Sequence, residues 1–373
     1  MTAHTPVLRA GHSIRTYGVA RALADRGDGL DLLYVGFDAP EPDAAFRAIP
    51  GIRLHEAVPS RGLRRMLAYG AARISGVPAG FARGVSGELA LEAEALAGTP
   101  DRGRVIADGP IVAATLATLA RSRPVIYNAH NIESGFRHEI EAGKLRRPRM
   151  HARAMRRFER KLLDRAAESW MVSAADVAAA AELCPTARLR QVPNVVDVAA
   201  IEPVRHVAPE PRAIFVASFF YEPNRTALRF LVDDVFPRVW AELPDARLTL
   251  VGPGLDRPPS SDRRIETLGF VDDLAEAYER ARCAVVPLLQ GGGTPLKFVE
   301  ALAYGLPVVA TPRAAAGLEV RDGEDCRIAE GDWAFAAALV EVLRDGAPQL
   351  GRQGRRLALD RYSIEGLSEL LAD

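Results

Sequence analysis

Short apolar runs alternate along this chain with longer segments whose apolar positions recur at helical spacing. The first run, residues 30–35, reads as a buried strand. It follows a helical segment over 15–26 that Gly27 closes. Residues 52–57 form a weaker strand, and two helical stretches follow to about residue 97. Next come a strand at 104–107, a helix at 110–121 and a strand at 125–127. An arginine-rich helix runs over about 147–165, and a strand, helix and strand follow at 169–172, 174–183 and 189–192. Alternation of this kind predicts a parallel sheet with helices on both faces.

Residues 202–212 interrupt the pattern with Pro203, Pro209 and Pro211, as a stiff linker would. A second alternating set then begins. It has a strand at 213–217, a long helix over about 223–243, and a strand at 247–251 that ends in Gly252-Pro253-Gly254. A strand reaching Gly269, a helix to about 281 and a strand at 283–287 follow. Helices at 333–344 and 352–371 close the chain. The predicted fold is α/β, with two doubly wound Rossmann-like domains facing a central cleft. The expected parts are residues 1–205, 206–351, and terminal helices 352–373 packing back toward the first domain. Ligands bind at the carboxyl ends of such strands, so the cleft is the expected site. The first strand of a doubly wound domain is normally central. Residues 1–11 already read as the loop after it, so a strand upstream of Thr2 is expected.

Residues 290–311 carry the most chemistry. Gly291, Gly292 and Gly293 precede Thr294, an N-cap type, and Pro295, which suits a first helical position. Gly305 can close this helix, Pro307 stops it, and 308–310 read as an inner strand. Glycines before a helix N-terminus make an anion site, because free amides and the dipole point outward. Lys297 and Glu300 share one helix face, offering a cation for phosphate and a carboxylate for sugar hydroxyls. Lysine is scarce: only Lys144, Lys161 and Lys297 stand among 48 basic residues. The loop alone also fits a solvated lysine beside glycines that merely turn the chain.

Net charge is zero, which gives no global nucleic-acid signature. Residues 1–205 carry 29 basic and 22 acidic side chains, and residues 206–373 carry 19 and 26. The two halves are therefore expected to meet different partners. Three isolated cysteines, Cys184, Cys283 and Cys326, argue against a disulfide framework or zinc site. With no signal-peptide core and no membrane-length apolar run, a cytoplasmic location is expected. Ten basic residues between Lys144 and Arg165 form either a solvated helix face or a peripheral contact with anionic lipid at the inner membrane face.

The stretches Phe215-Val-Ala-Ser-Phe-Phe-Tyr-Glu-Pro-Asn-Arg-Thr-Ala227, Leu250-Val-Gly-Pro-Gly254, Leu268-Gly-Phe-Val271 and 290–311 together resemble the donor domain of GT-B glycosyltransferases. The closest resemblance is to retaining family 4, group 1. Gly11-His-Ser-Ile-Arg-Thr-Tyr17, Tyr127-Asn-Ala-His-Asn-Ile-Glu-Ser134 and Val192-Pro-Asn-Val-Val-Asp197 extend it over nearly the whole chain. The resemblance implies transfer of a sugar from a nucleotide diphosphate to an acceptor, with retention. It implies no metal and no cofactor beyond the nucleotide sugar. The acceptor, whether sugar, lipid-linked sugar or small molecule, stays open.

By the same resemblance, His130 and Glu300 are the catalytic-site residues, His130 positioning a sugar and Glu300 holding ribose hydroxyls. Gly292, Gly293, Thr294, Leu296, Lys297 and Asn224 fall at the diphosphate and sugar, Phe270 and Val271 at the base. Gly11 and Arg15 fall at the acceptor and phosphate loop. Two departures stand out. Gly292 occupies the position where the family often has a first glutamate, and Tyr221-Glu-Pro-Asn224 replaces an Arg and Lys clamp. A sugar-nucleotide epimerase and a non-catalytic sugar-nucleotide module remain alternatives. No Gly-x-Gly-x-x-Gly follows an N-terminal strand, which disfavours a dehydrogenase. Asn131 and Glu133 read as turn and cap residues, and His12, His138 and His151 as solvated. Ser173 and Cys184 lack a nucleophile motif.

Overall fold

A computed structural model describes residues 2, 5–8, 11–35, 41–57, 62–82, 87–98, 103–119, 123–134, 148–205, 207–255, 257–291 and 293–372. The chain divides into two compact units, Met1–Asn194 with Leu367–Asp373, and Val195–Gly366. The proline-rich stretch that reads as a linker thus belongs to the second unit from its first residue. Of the terminal segment only residues 367–373 group with the first. There, Arg26 and Arg190 donate to the Leu371 and Leu370 carbonyls.

In the first unit, β1 (Leu30–Val35) pairs in parallel with β2 (Ile52–Ala57). A second parallel sheet has β3 (Val105–Asp108), β4 (Val125–Asn128), β5 (Glu168–Met171) and β6 (Leu189–Gln191) in that order. Thr2 stands between the two sheets. It bridges to Tyr34 of β1 and to Asp108 of β3, and its amide donates to the Leu33 carbonyl at 2.9 Å. No regular strand lies within residues 1–7 among the described residues. Near the amino ends of β1 and β3, residues including Leu30, Leu33, Val105 and Ile106 line a cavity of about 360 Å³. The core is built from Leu33, Val35, Ala107, Val112, Tyr127 and Met171. The Pro148–Arg165 helix buries Met155, Phe158 and Leu162 on it and exposes Arg153, Arg156, Arg157 and Arg160. Lys144 lies outside the described residues.

The second unit holds one six-stranded parallel sheet. Its strands are β7 (Arg212–Val216), β8 (Arg247–Val251), β9 (Ile265–Gly269), β10 (Cys283–Val286), β11 (Val308–Ala310) and β12 (Arg327–Ile328). The order β12-β11-β10-β7-β8-β9 reverses direction between β7 and β10, the topological switch point of a doubly wound sheet. Inner strands β7 and β10 are almost wholly buried, which is why they read as continuous apolar runs.

The expected long helix is three pieces, Glu222–Arg229, a π-helical turn Phe230–Val235 and Phe236–Glu242. Pro237 lacks an amide proton, and the wider turn just before it absorbs the break in the hydrogen-bond ladder. Gly252 (φ +128°) and Gly254 (φ +95°) bring the loop after β8 onto the one after β7. A Cβ at 252 would overlap the Ala217 carbonyl oxygen, and one at 254 would lie 2.8 Å from the Phe220 amide nitrogen.

Candidate active site

The switch point places the loop after β10, with Gly291 (φ +121°) and Gly293 (φ +72°), beside the helix after β7 that carries Asn224. Gly292 lies outside the described residues. The loop needs room as well as unusual φ: a Cβ at Gly317 would come 2.6 Å from the Gly293 carbonyl oxygen. The following helix is Leu296–Ala303, and Pro295, not Thr294, occupies its N-cap position. The buried Thr294 hydroxyl instead donates to the Gly317 carbonyl at 3.2 Å, fastening the loop to the chain after β11. No side chain caps the first turn of this helix, and the Phe298 amide donates to the Pro295 carbonyl at 2.9 Å.

Lys297 Nζ donates a 2.5 Å hydrogen bond to Asn224 Oδ1 and lies 5.2 Å from the Phe215 ring centroid. Asn224 is held in turn, its Nδ2 donating to the Ser218 carbonyl at 2.7 Å. Burial pulls the Lys297 ammonium down to about 7, against the opposing charge of Glu300. Glu300 moves the other way. Burial pushes its carboxyl up to about 7, opposed by Tyr278 and Lys297. The Tyr278 hydroxyl lies 3.4 Å from Glu300 Oε2, and its ring stacks on Tyr304 at 4.3 Å. The structure therefore brings Asn224, Lys297, Glu300, Thr294 and half-buried Leu296 onto one rim. Phe270, 58% exposed, and Val271 follow β9, two strands away from β7. The sequence offered no sign of Tyr278, which lies 22 residues before Glu300 on another helix.

In the first unit the hub is a residue that the sequence reading did not single out. Asp108 ends β3 and is buried. Its Oδ1 accepts from Asn128 Nδ2 at 2.7 Å and meets His130 Nε2 at 2.9 Å, and its Oδ2 accepts from the Thr16 hydroxyl. Burial pushes this carboxyl up, but the charge and hydrogen bond of His130, with Thr16, hold it below the usual carboxylate range. His130 packs over Gly109 (φ +82°), where a Cβ would sit 3.0 Å from Cε1. Its Nε2 faces Asp108, which leaves Nδ1 for any further contact. His12, expected to be solvated, stacks on His130 with ring centroids 6.4 Å apart.

Arg15, which by resemblance falls at the acceptor and phosphate loop, is 2% exposed inside a helix, Gly11–Asp25. Its Nη1 donates to the Val192 carbonyl at 2.9 Å and Asn194 Oδ1 at 3.0 Å, and its Nη2 to Asn128 Oδ1 at 2.6 Å. Burial lowers its pKa to about 10, with Asp108 and Asp176 opposing. Gly11, by contrast, is exposed at the start of that helix. Ser173 is an N-cap, its hydroxyl accepting from the Asp176 amide at 3.1 Å. The side chain of His151 and all of His138 lie outside the described residues. Among the described residues no group of carboxylates, histidines or cysteines could hold a metal ion, and no helix is long and apolar enough to cross a membrane.

Two parallel α/β units, one with its polar loop and helix at a switch point, are the architecture of the GT-B fold. Residues 210–345 match the family described as Glycosyl transferases group 1. It is similar to a phosphatidyl-myo-inositol mannosyltransferase of Mycolicibacterium smegmatis, 31% identical over 177 residues, covering 44% of this chain and 45% of that one. The chain thus spans under half the length of the curated relatives it matches. Sucrose-phosphate synthase from Thermosynechococcus elongatus superposes with a TM-score of 0.73 at 18% identity, covering 100% of this chain and 94% of that one. Anabaena HepE in complex with UDP and glucose gives 0.67 at 14%, covering 100% and 97%.

Proposed function

We propose that this chain is a retaining glycosyltransferase that uses a nucleotide diphosphate sugar as donor. The observation that carries the reading is the uncapped helix start with Lys297 held by Asn224 at the β7/β10 switch point. Backbone amides, the helix dipole and a buried ammonium together suit the charge that develops on a departing diphosphate. Glu300, steadied by Tyr278, suits ribose hydroxyls, and exposed Phe270 suits a nucleobase face. Gly293 and Thr294 belong to the loop proposed to reach the diphosphate and donor sugar, and neighbouring Gly292 is assigned there with them.

His130, oriented by Asp108, is proposed to position a sugar hydroxyl through Nδ1. No step of this scheme calls for a metal ion. The mannosyltransferase named above makes a lipid headgroup one candidate acceptor, and the exposed arginines of the Pro148–Arg165 helix suit an anionic surface.

The test is a stability screen with nucleoside diphosphates, followed by slow hydrolysis of the best nucleotide sugar. A ligand at 100 times its Kd raises stability by about 2.7 kcal/mol. No stabilisation by any nucleoside diphosphate would overturn the donor site. Stabilisation without hydrolysis or transfer would favour the non-catalytic module.

A further inference from the structure

Within the second unit a cavity of about 430 Å³ opens at the amino ends of β10 and β11, the opposite end of the sheet from the glycine loop. Arg205, Arg282, Arg352, Arg355 and Arg356 line it, and no carboxylate does among the described residues. Of these, Arg205 alone has a carboxylate partner among the described residues, Glu202 at 2.7 Å. Arg282 is fixed by backbone carbonyls alone, Ala208 at 2.9 Å, Leu343 at 2.5 Å and Pro209 at 2.5 Å. Arg355 likewise donates to the Ala303 carbonyl and, at 3.0 Å, to that of Ile201. Arg352 and Arg356 are exposed one helical turn apart and have no hydrogen-bond or ion-pair partner among the described residues.

The charge balance decides what this cavity can hold. Two helix C-termini, at Ala303 and Asp345, abut it and bring about half a negative charge each. The Pro348–Tyr362 helix starts at the cavity with no side-chain cap, which returns about half a positive charge. Against these fractions stand four guanidinium groups without carboxylate partners. The volume falls in the range of small-molecule sites, about 300–1,000 Å³. It is too large for a bare ion, and Pro203, Val204, Leu306, Pro307 and Leu359 give it apolar wall for a carbon skeleton.

We propose that this cavity binds a phosphorylated small molecule carrying two or more negative charges, at a site separate from the glycine loop. Arg282 and Arg355 form its rigid floor, and Arg352 and Arg356 close on the ligand. Guanidinium forks match phosphate oxygens in pairs.

The test uses inorganic pyrophosphate as probe and the full chain carrying Lys297→Met, so that the loop site contributes least. Calorimetry should show pyrophosphate binding that weakens steeply with salt. Adding Arg352→Ser and Arg356→Ser should weaken it about tenfold or more, while Arg352→Lys with Arg356→Lys retains most of it. Both positions are exposed and unpartnered, so an unchanged melting temperature should accompany the loss. Binding untouched by the serine pair, or no binding to Lys297→Met at all, would overturn the proposal. So would capture by phosphatidic acid vesicles that depends on both arginines but is not competed by pyrophosphate, because a lipid surface would then be the source.

Discussion

Lys297 and Asn224 lie 73 residues apart in sequence and meet in a 2.5 Å hydrogen bond across the β7/β10 switch point. The amide oxygen holds the ammonium without neutralising it. A carboxylate at 224 would have consumed the charge that a phosphate needs. Lys297→Met should therefore weaken nucleoside diphosphate binding about 10–100-fold, the worth of a charge-assisted hydrogen bond, and leave the bare nucleoside nearly unaffected. Titration calorimetry with the matched pair decides it, and equal losses would remove Lys297 from the phosphate.

The same lysine sets a pH dependence. Its free-state value near 7 leaves the amine increasingly neutral above that pH, so binding a diphosphate there must take up a proton. Affinity for a nucleotide sugar should fall as pH rises from about 7 to 9, approaching tenfold per unit. In Lys297→Met the slope should vanish. A slope that survives would place the proton elsewhere.

Glu300→Gln should bind ribonucleotides more tightly than Glu300→Ala, because the amide still offers an oxygen to a hydroxyl. Both should discriminate less than the parent between ribo- and deoxyribonucleotides. If either variant keeps the parent's discrimination, Glu300 belongs to the packing around Tyr278 alone.

His130→Ala should lower turnover while diphosphate affinity stays within about threefold, since one lost hydrogen bond to a different ligand is at stake. Asp108→Asn should also lower turnover, by releasing the imidazole from its orientation. It should raise the resistance of the fold to acid as well. The parent carboxyl is held below its ordinary value, so its contribution is present above about pH 4 and is lost as pH falls through the native value. A pH–turnover profile and an acid-unfolding curve separate the two effects. Full activity in both variants would leave His130 without a role.

Glu159 offers a test of stability alone. It accepts the Glu133 and Ser134 amides, at 2.5 and 2.9 Å, and burial pushes its carboxyl up to about 7. The native state thus binds its proton more tightly than the unfolded chain. That contribution is complete below about pH 4.5 and is lost as pH rises through about 7. Glu159→Gln should flatten the melting temperature between those limits. An unchanged slope would assign it to other groups.

Much of this was legible in residue order. Strands β1, β2, β8 and β11 fall where apolar runs end in turn residues, and Lys297, Glu300 and Asn224 stand out by type. What stayed hidden depends on non-local contact. Asp108 reads as an ordinary strand-end acid until β3 and β4 pair and bring Asn128 and His130 to it. Arg15 reads as the first residue of a helix, and nothing local reveals that Val192 and Asn194 will enclose it. Thr294 reads as a cap because its real partner, the Gly317 carbonyl, comes from the far side of β11. Strand order and the π-helical turn before Pro237 likewise follow from packing, which composition does not encode.

The helix that carries Lys297 and Glu300 rests against the Pro348–Tyr362 helix through two glycines. A Cβ at Gly351 would overlap the Gly305 carbonyl oxygen, and one at Gly354 would lie 2.6 Å from Leu302 Cδ2. The height of the anion loop is thus gauged from behind by two missing methyl groups. A mutation there would act as a shim. It would lift Lys297 and Glu300 together, so a substitution remote from any ligand would register first as altered donor affinity.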